Sequence, residues 1–145
     1  MSLEEILAAI PHRPPMLLID EIVESTDDSI VCRKTFREDE FFVQGHYPEF
    51  PLVPGVILIE SCCQAGAVLV SRILDKIASS AVPVLTRVDK AKFKKMVRPG
   101  DTVELHAEVR ETVQNVIFLS GKVMVGDALS LRFDFVCSLA PKAQK

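Results

Sequence analysis

The residues best able to do chemistry lie in one stretch, Gly45-His46-Tyr47-Pro48-Glu49-Phe50-Pro51-Leu52-Val53-Pro54-Gly55-Val56-Ile57-Leu58-Ile59-Glu60. His46 sits in a loop stiffened by Pro48, Pro51 and Pro54, a backbone that presents side chains instead of forming helix or ladder bonds. Imidazole is the side chain suited to taking and giving protons near neutral pH. Glu60 follows among Val56, Ile57, Ile59 and Cys63. A carboxylate in such company loses hydration unless it is paired, which favours the protonated, donating form. Between the two, the chain enters a helix at Gly55-Val56, where free N–H groups receive an anion or a polarised carbonyl oxygen. Base, acid and oxyanion donor together suit proton abstraction next to a carbonyl. A plainer account fits the same residues: a solvated loop histidine, and a glutamate ion-paired with Arg13, Arg72 or Arg87. Residue types and spacing stop at an acid–base site and name no substrate.

These groups need a scaffold. From Val56 to about Ile77 the sequence predicts a helix of about 22 residues, with Pro54 in its first turn and no Lys or Arg before Arg72. Its first four turns are apolar nearly all round, so protein must enclose it. A short helix precedes it near Ser2–Pro11, opened by the capping-box spacing Ser2/Glu5. Strands are expected over Met16–Ser25, Ser29–Phe36, Val84–Val88, Thr102–Arg110, Val113–Val125 and Ala128–Ala140, with Asp27-Asp28 and Gly126-Asp127 as turns. In the last strand Leu129, Leu131, Phe133, Phe135, Cys137 and Leu139 alternate with mostly polar neighbours, the period of a half-buried antiparallel strand. The expected fold class is α+β: one long central helix wrapped by a curved antiparallel sheet of five or six strands.

With 145 residues, 1–145 is expected to form a single domain, with 141–145 as a flexible tail. Lys plus Arg number 17 against 20 Asp plus Glu, for a net charge of −3, which gives no reason to expect nucleic acid. The most apolar stretch is interrupted by Glu60, Ser61 and Gln64, and the first residues carry acids where a signal peptide needs a basic flank. The expectation is a cytoplasmic protein with no membrane partner. Cys32, Cys62, Cys63 and Cys137 form no C-x-x-C pair and read as buried small hydrophobes, so neither a disulfide framework nor a metal site is expected.

The string from His46 through Pro48, Pro51, Pro54, Gly55 and Val56 to Glu60, continuing to Gln64, closely resembles the active-site signature of the beta-hydroxyacyl-acyl carrier protein dehydratases of bacterial fatty-acid synthesis. Ile10–Asp20 and Asp89–Asp101 resemble the same family, in the same order along nearly the whole chain. The resemblance implies the hotdog fold and reversible dehydration of a 3-hydroxyacyl thioester to the trans-2-enoyl thioester, with no metal and no organic cofactor. It implies His46 as base, Glu60 as acid, and Gly55, Val56 and Gln64 at the substrate, Gln64 holding the Glu60 carboxyl from one helical turn away. It also implies homodimers with shared active sites, the histidine from one subunit and the acid from the other, and assembly of dimers into hexamers.

Lys90, Lys92, Lys94, Lys95 and Arg98 make a basic cluster in an acidic chain. It reads either as a solvated loop or as a docking patch for an acidic acyl carrier protein. Arg87 departs from the family's small residues before Asp89 and bears on chain length and carrier. His106 falls on the polar side of its strand, and His12 belongs to the resemblance without a role in the chemistry. Two other activities compete: a hotdog acyl-CoA thioesterase, in which the His46 loop has no clear job, and a non-catalytic acyl-binding subunit.

Overall fold

The computed structural model describes residues 3–76 and 81–141. The elements run α1 (Leu3–Ala9), β1 (Glu21–Ser25), β2 (Ser29–Thr35), α2 (Gly55–Lys76), β3 (Ala81–Phe93), β4 (Thr102–Val113), β5 (Val116–Val125) and β6 (Ala128–Pro141). The strands form one sheet in the order β1-β2-β4-β5-β6-β3, antiparallel at every pairing. Helix α2 packs against β2, β3, β4 and β5. This long helix in a six-stranded antiparallel sheet is the hotdog architecture.

The period of two and the all-round apolar helix meet in the core. Leu105 and Ala107 of β4, Leu119 and Val123 of β5, and Phe133 and Phe135 of β6 turn inward onto Cys62, Ala65 and Leu69 of α2, all buried. Over Gly55–Asp75 the helix is long and apolar enough to cross a bilayer, contrary to the reading that its charged and polar residues exclude a span. Enclosure by the sheet accounts for that composition. The four cysteines are free and buried. Desolvation pushes the thiols of Cys32 and Cys137 up to about 12 and about 11, and those of Cys62 and Cys63 upward as well.

Several boundaries differ from expectation. Met16–Asp20 is not strand: in Met16–Leu18 the backbone groups turn to α2 and to Arg13, with Leu18 N–H donating to Gln64 Oε1, Ser61 Oγ to Leu18 O, Gln64 Nε2 to Met16 O, and Met16 and Leu17 N–H to Arg13 O. Asp20 N–H meets Arg33 O of β2 just before β1 begins. Strand β3 is longer than Val84–Val88 and contains Pro83. Proline is tolerated there because β3 is a sheet edge. Strand β4 continues past a bulge near Val109/Glu111 to Val113, and the turn Gln114-Asn115, with Gln114 at φ 54°, starts β5 at Val116. The Gly126-Asp127 hairpin forms as expected, with Gly126 at φ 59° and Val125 paired to Ala128. Pro141 closes β6 instead of opening a tail. The rest of the expected tail, 142–145, and the expected helix end at Ile77 lie outside the described residues.

Close approach of helix and sheet depends on Gly121, where an added Cβ would lie 2.9 Å from Cys62 Sγ and 2.9 Å from Phe133 Cε1. Both neighbours are buried core groups, so overpacking dominates. Gly121→Ala is expected to lower unfolding free energy by about 1–3 kcal/mol, read from the urea midpoint. An unchanged midpoint would mean that the layers separate without strain.

Candidate active site

His46 is placed by its loop. Its N–H donates to Val43 O at 3.1 Å, between Gly45 at φ 82° and Tyr47 at φ 53°. Its Nδ1 lies 3.1 Å from Leu52 O. A carbonyl only accepts, so that bond puts the proton on Nδ1 and leaves Nε2 as the free base nitrogen. The ring faces a cavity of about 360 Å³ that also exposes Gly55, Leu58 and Phe93.

The start of α2 supplies the donors. Ile57 and Leu58 make the first backbone bonds, both to Pro54 O. The N–H groups of Gly55 and Val56 have no backbone acceptor among the described residues, as the first turn of a helix dictates. A Cβ at position 55 would stand 2.7 Å from Cε1 of the exposed Phe93 ring, which a larger residue would displace. Gly55 thus lines the His46 cavity close under that ring. Val56, by contrast, points its side chain to solvent at 71% exposure.

Glu60 occupies a different side of the helix. At 3.6 residues per turn, five positions carry it about 140° from Gly55. It lines a separate cavity of about 100 Å³ with His12, Cys63, Gln64 and Cys137. One protomer therefore does not bring His46 and Glu60 into one pocket. The three arginines of the plainer account do not reach the acid: Arg13 caps α1 through Leu7 O and Ile10 O, Arg72 pairs with Glu5, and Arg87 pairs with Asp89 at 2.6 Å. Instead Gln64 Nε2 donates to Glu60 Oε2 at 2.9 Å, as its i+4 position predicts, and His12 Nε2 stands 3.6 Å from the same oxygen. The glutamate side chain is 31% exposed, less enclosed than its apolar neighbours suggest.

Gln64 does more than the sequence indicates. It is buried, and its amide joins α2 to the Met16–Leu18 segment at both ends. His12 was missed as a neighbour of the acid, because a contact across 48 positions leaves no periodic signal. The available clue was its setting among Pro11, Pro14 and Pro15, a stiff segment of the kind that also presents His46.

The basic residues split. Lys94 and Lys95 stand at the rim of the His46 cavity, anchored by Lys94 N–H to Ser130 O at 2.7 Å and Ser130 Oγ to Lys95 O at 2.6 Å. Arg98 lies over the Phe50 ring at 4.5 Å. Lys90 and Lys92 belong to β3, not to a loop, and are exposed at its irregular end. His106 sits on the outer face beside Glu104 at 3.2 Å, as strand alternation requires. Among the described residues no cluster of His, Cys, Asp and Glu has metal-binding geometry.

Replacing Gln64 by Leu strands the Leu18 N–H and Met16 C=O, each worth about 1–3 kcal/mol when buried and unpaired. Gln64→Leu should therefore destabilise by about 2–6 kcal/mol, against about 1–3 for Ser61→Ala, which strands one carbonyl. Equal effects in chemical denaturation would mean that the amide does not clamp the segment.

Comparison with known proteins follows the same lines. The family model for the FabA-like domain matches residues 10–133. Among curated relatives, the 3-hydroxyacyl-(acyl-carrier-protein) dehydratase FabZ of Koribacter versatilis is 37% identical, over 100% of this chain and 93% of that protein. The FabZ of Petrotoga mobilis is 33% identical, over 96% and 98%. Among solved structures, a chain of the dehydratase heterocomplex ApeI:P from Xenorhabdus doucetiae superposes with TM-score 0.81 at 16% identity, over 94% of this chain and 91% of that one. The E. coli PaaI protein does so with TM-score 0.68 at 14% identity, over 94% and 92%. The structural neighbours share the fold, while the sequence matches extend across the residues that build both cavities; the chain belongs to the FabA-like domain family.

Proposed function

We propose that this protein catalyses the reversible dehydration of 3-hydroxyacyl thioesters carried by acyl carrier protein, in fatty-acid synthesis in the cytoplasm. The observation that carries the reading is His46, with its proton held on Nδ1 by Leu52 O and its Nε2 free, in the same cavity as the Gly55 helix start. His46 Nε2 removes the α-proton. The Cα–H electron pair moves toward the thioester carbonyl, whose oxygen the Gly55 N–H steadies, and then forms the Cα=Cβ bond as the Cβ–O bond breaks. Glu60 gives its proton to the departing hydroxyl, which leaves as water.

Because His46 and Glu60 line different cavities of one protomer, the working site joins two copies. Strand β3 is an edge with Val84, Leu85 and Val88 exposed, an open template for a second strand. Its Pro83 and Leu85 line the Glu60 cavity, and its Phe93 lines the His46 cavity. Antiparallel pairing of two β3 strands about Val88, midway between Pro83 and Phe93, sets the His46 cavity of one copy beside the Glu60 cavity of the other. The dimer supplies two such sites, and dimers assemble further into hexamers. Lys94 and Lys95 at the His46 rim, with Arg98 over Phe50 and Lys90 and Lys92 on β3, receive the acidic carrier protein by electrostatic steering.

A 3-hydroxyacyl or enoyl thioester tests the reaction. A change in enoyl absorbance without free thiol supports dehydration, thiol release means a thioesterase, and neither signal means a binding subunit. His46→Ala and Glu60→Gln should each lower turnover by about 10²–10⁴-fold with the fold intact. Near-normal turnover in either would remove that residue from the mechanism.

Mixing the two inactive proteins tests the shared site. After random exchange half the dimers are mixed, and each mixed dimer holds one intact site of two. Activity should return to about a quarter of wild type if the sites act independently. Exchange confirmed by mass with activity still at background would sink the two-copy site.

A further inference from the structure

His12 takes no part in the reaction set out above, yet its ring lies against the acid. Its Nε2 is 3.6 Å from Glu60 Oε2, and both side chains line the cavity of about 100 Å³. Its Nδ1 is buried and has no hydrogen-bond partner among the described residues. That asymmetry decides where the proton sits. A buried N–H without an acceptor pays its full desolvation penalty, and orphaned buried N–H groups are rarer than underused acceptors. A proton on Nδ1, in the neutral ring or the imidazolium, incurs that penalty. The neutral ring protonated on Nε2 avoids it and aims its single N–H at the carboxyl. The separation is longer than a hydrogen bond, and catalytic contacts of this kind shorten in the substrate complex.

Gln64 holds the same oxygen by necessity. The Leu18 N–H can only donate, so it fixes Gln64 Oε1 at 2.8 Å, and Nε2 must then face Met16 O at 2.8 Å and Glu60 Oε2 at 2.9 Å. We propose that His12 is a positioning residue for Glu60: its Nε2–H is a second donor to Oε2, which leaves the transferable proton on Oε1. An oxygen whose lone pairs both accept N–H groups has no place for a proton of its own. The inference rests on the reading of Glu60 as the acid. Besides His12, the titratable groups lining this cavity with Glu60 are the thiols of Cys63 on α2 and Cys137 on β6. Burial pushes both up, Cys137 to about 11, so neither ionises in the working range.

The full-length protein with two substitutions tests this. His12→Leu removes the donor, and His12→Gln keeps an N–H at the end of the side chain. For His12→Leu, kcat for dehydration should fall about 10-fold or more, the worth of a hydrogen bond to a charged group, with little change in KM. In His12→Gln most of kcat should return. Wild-type kcat in His12→Leu, or equal losses in the two variants, overturn the proposal. If His12→Leu does not fold, nitrogen-15 NMR of the wild-type imidazoles decides, with His12 assigned by the signal lost in His12→Gln. A neutral ring protonated at Nε2 supports the proposal, and an Nδ1–H ring or an imidazolium overturns it. Full activity in Glu60→Gln would instead remove the acid while leaving the His12 tautomer as it is, so the two failures are distinguishable.

Discussion

Helix α2 is apolar around nearly its whole circumference, and water is a poor solvent for such a surface. Leu58, Cys62, Ala65, Val68, Leu69 and Val70 are buried on it, and no single flat layer covers positions spread so widely around a cylinder. The sheet must therefore curve round the helix. Strands β2, β4, β5 and β6 turn alternate side chains inward, and Gly121 sits where a larger residue would hold helix and strand apart. Sheet order, strand alternation and buried cysteines all follow from that enclosure.

Enclosure also explains how a core helix carries polar groups. Ser61 and Gln64 are buried on α2, and each finds its partners in the backbone of Met16–Leu18. That segment gives up ladder bonds and lies along the helix. His12 lies four residues before Met16, so the clamp that satisfies Gln64 also helps bring an imidazole to Glu60. Stability and site assembly share the same hydrogen bonds.

The helix serves two cavities because five residues turn it through more than a third of a revolution. Gly55 faces the His46 loop, and Glu60 faces His12 and the end of β6. Within one chain the helix therefore presents Gly55 and Glu60 to separate spaces, and the long edge strand β3 touches both. The separation of the two cavities is a consequence of helical periodicity.

Much of this was written in local sequence. Alternation in Ala128–Ala140, the largely apolar helix and the Gly126-Asp127 turn express short-range rules, so element types and the enclosing sheet were legible. The spacing from His46 to Glu60 and the i+4 placement of Gln64 were legible for the same reason, since loop stiffness and helical pitch act over a few residues. What tertiary structure alone decided depends on groups distant in the chain. Met16–Leu18 has the composition of a strand, but its backbone groups went to Ser61, Gln64 and Arg13. Lys90 and Lys92 joined an edge strand because β6 was there to pair with them. Glu60 met His12 instead of an arginine because Arg13, Arg72 and Arg87 were already engaged. Periodicity records which face a residue takes, whereas the identity of its partner across the core is set only when the chain closes on itself.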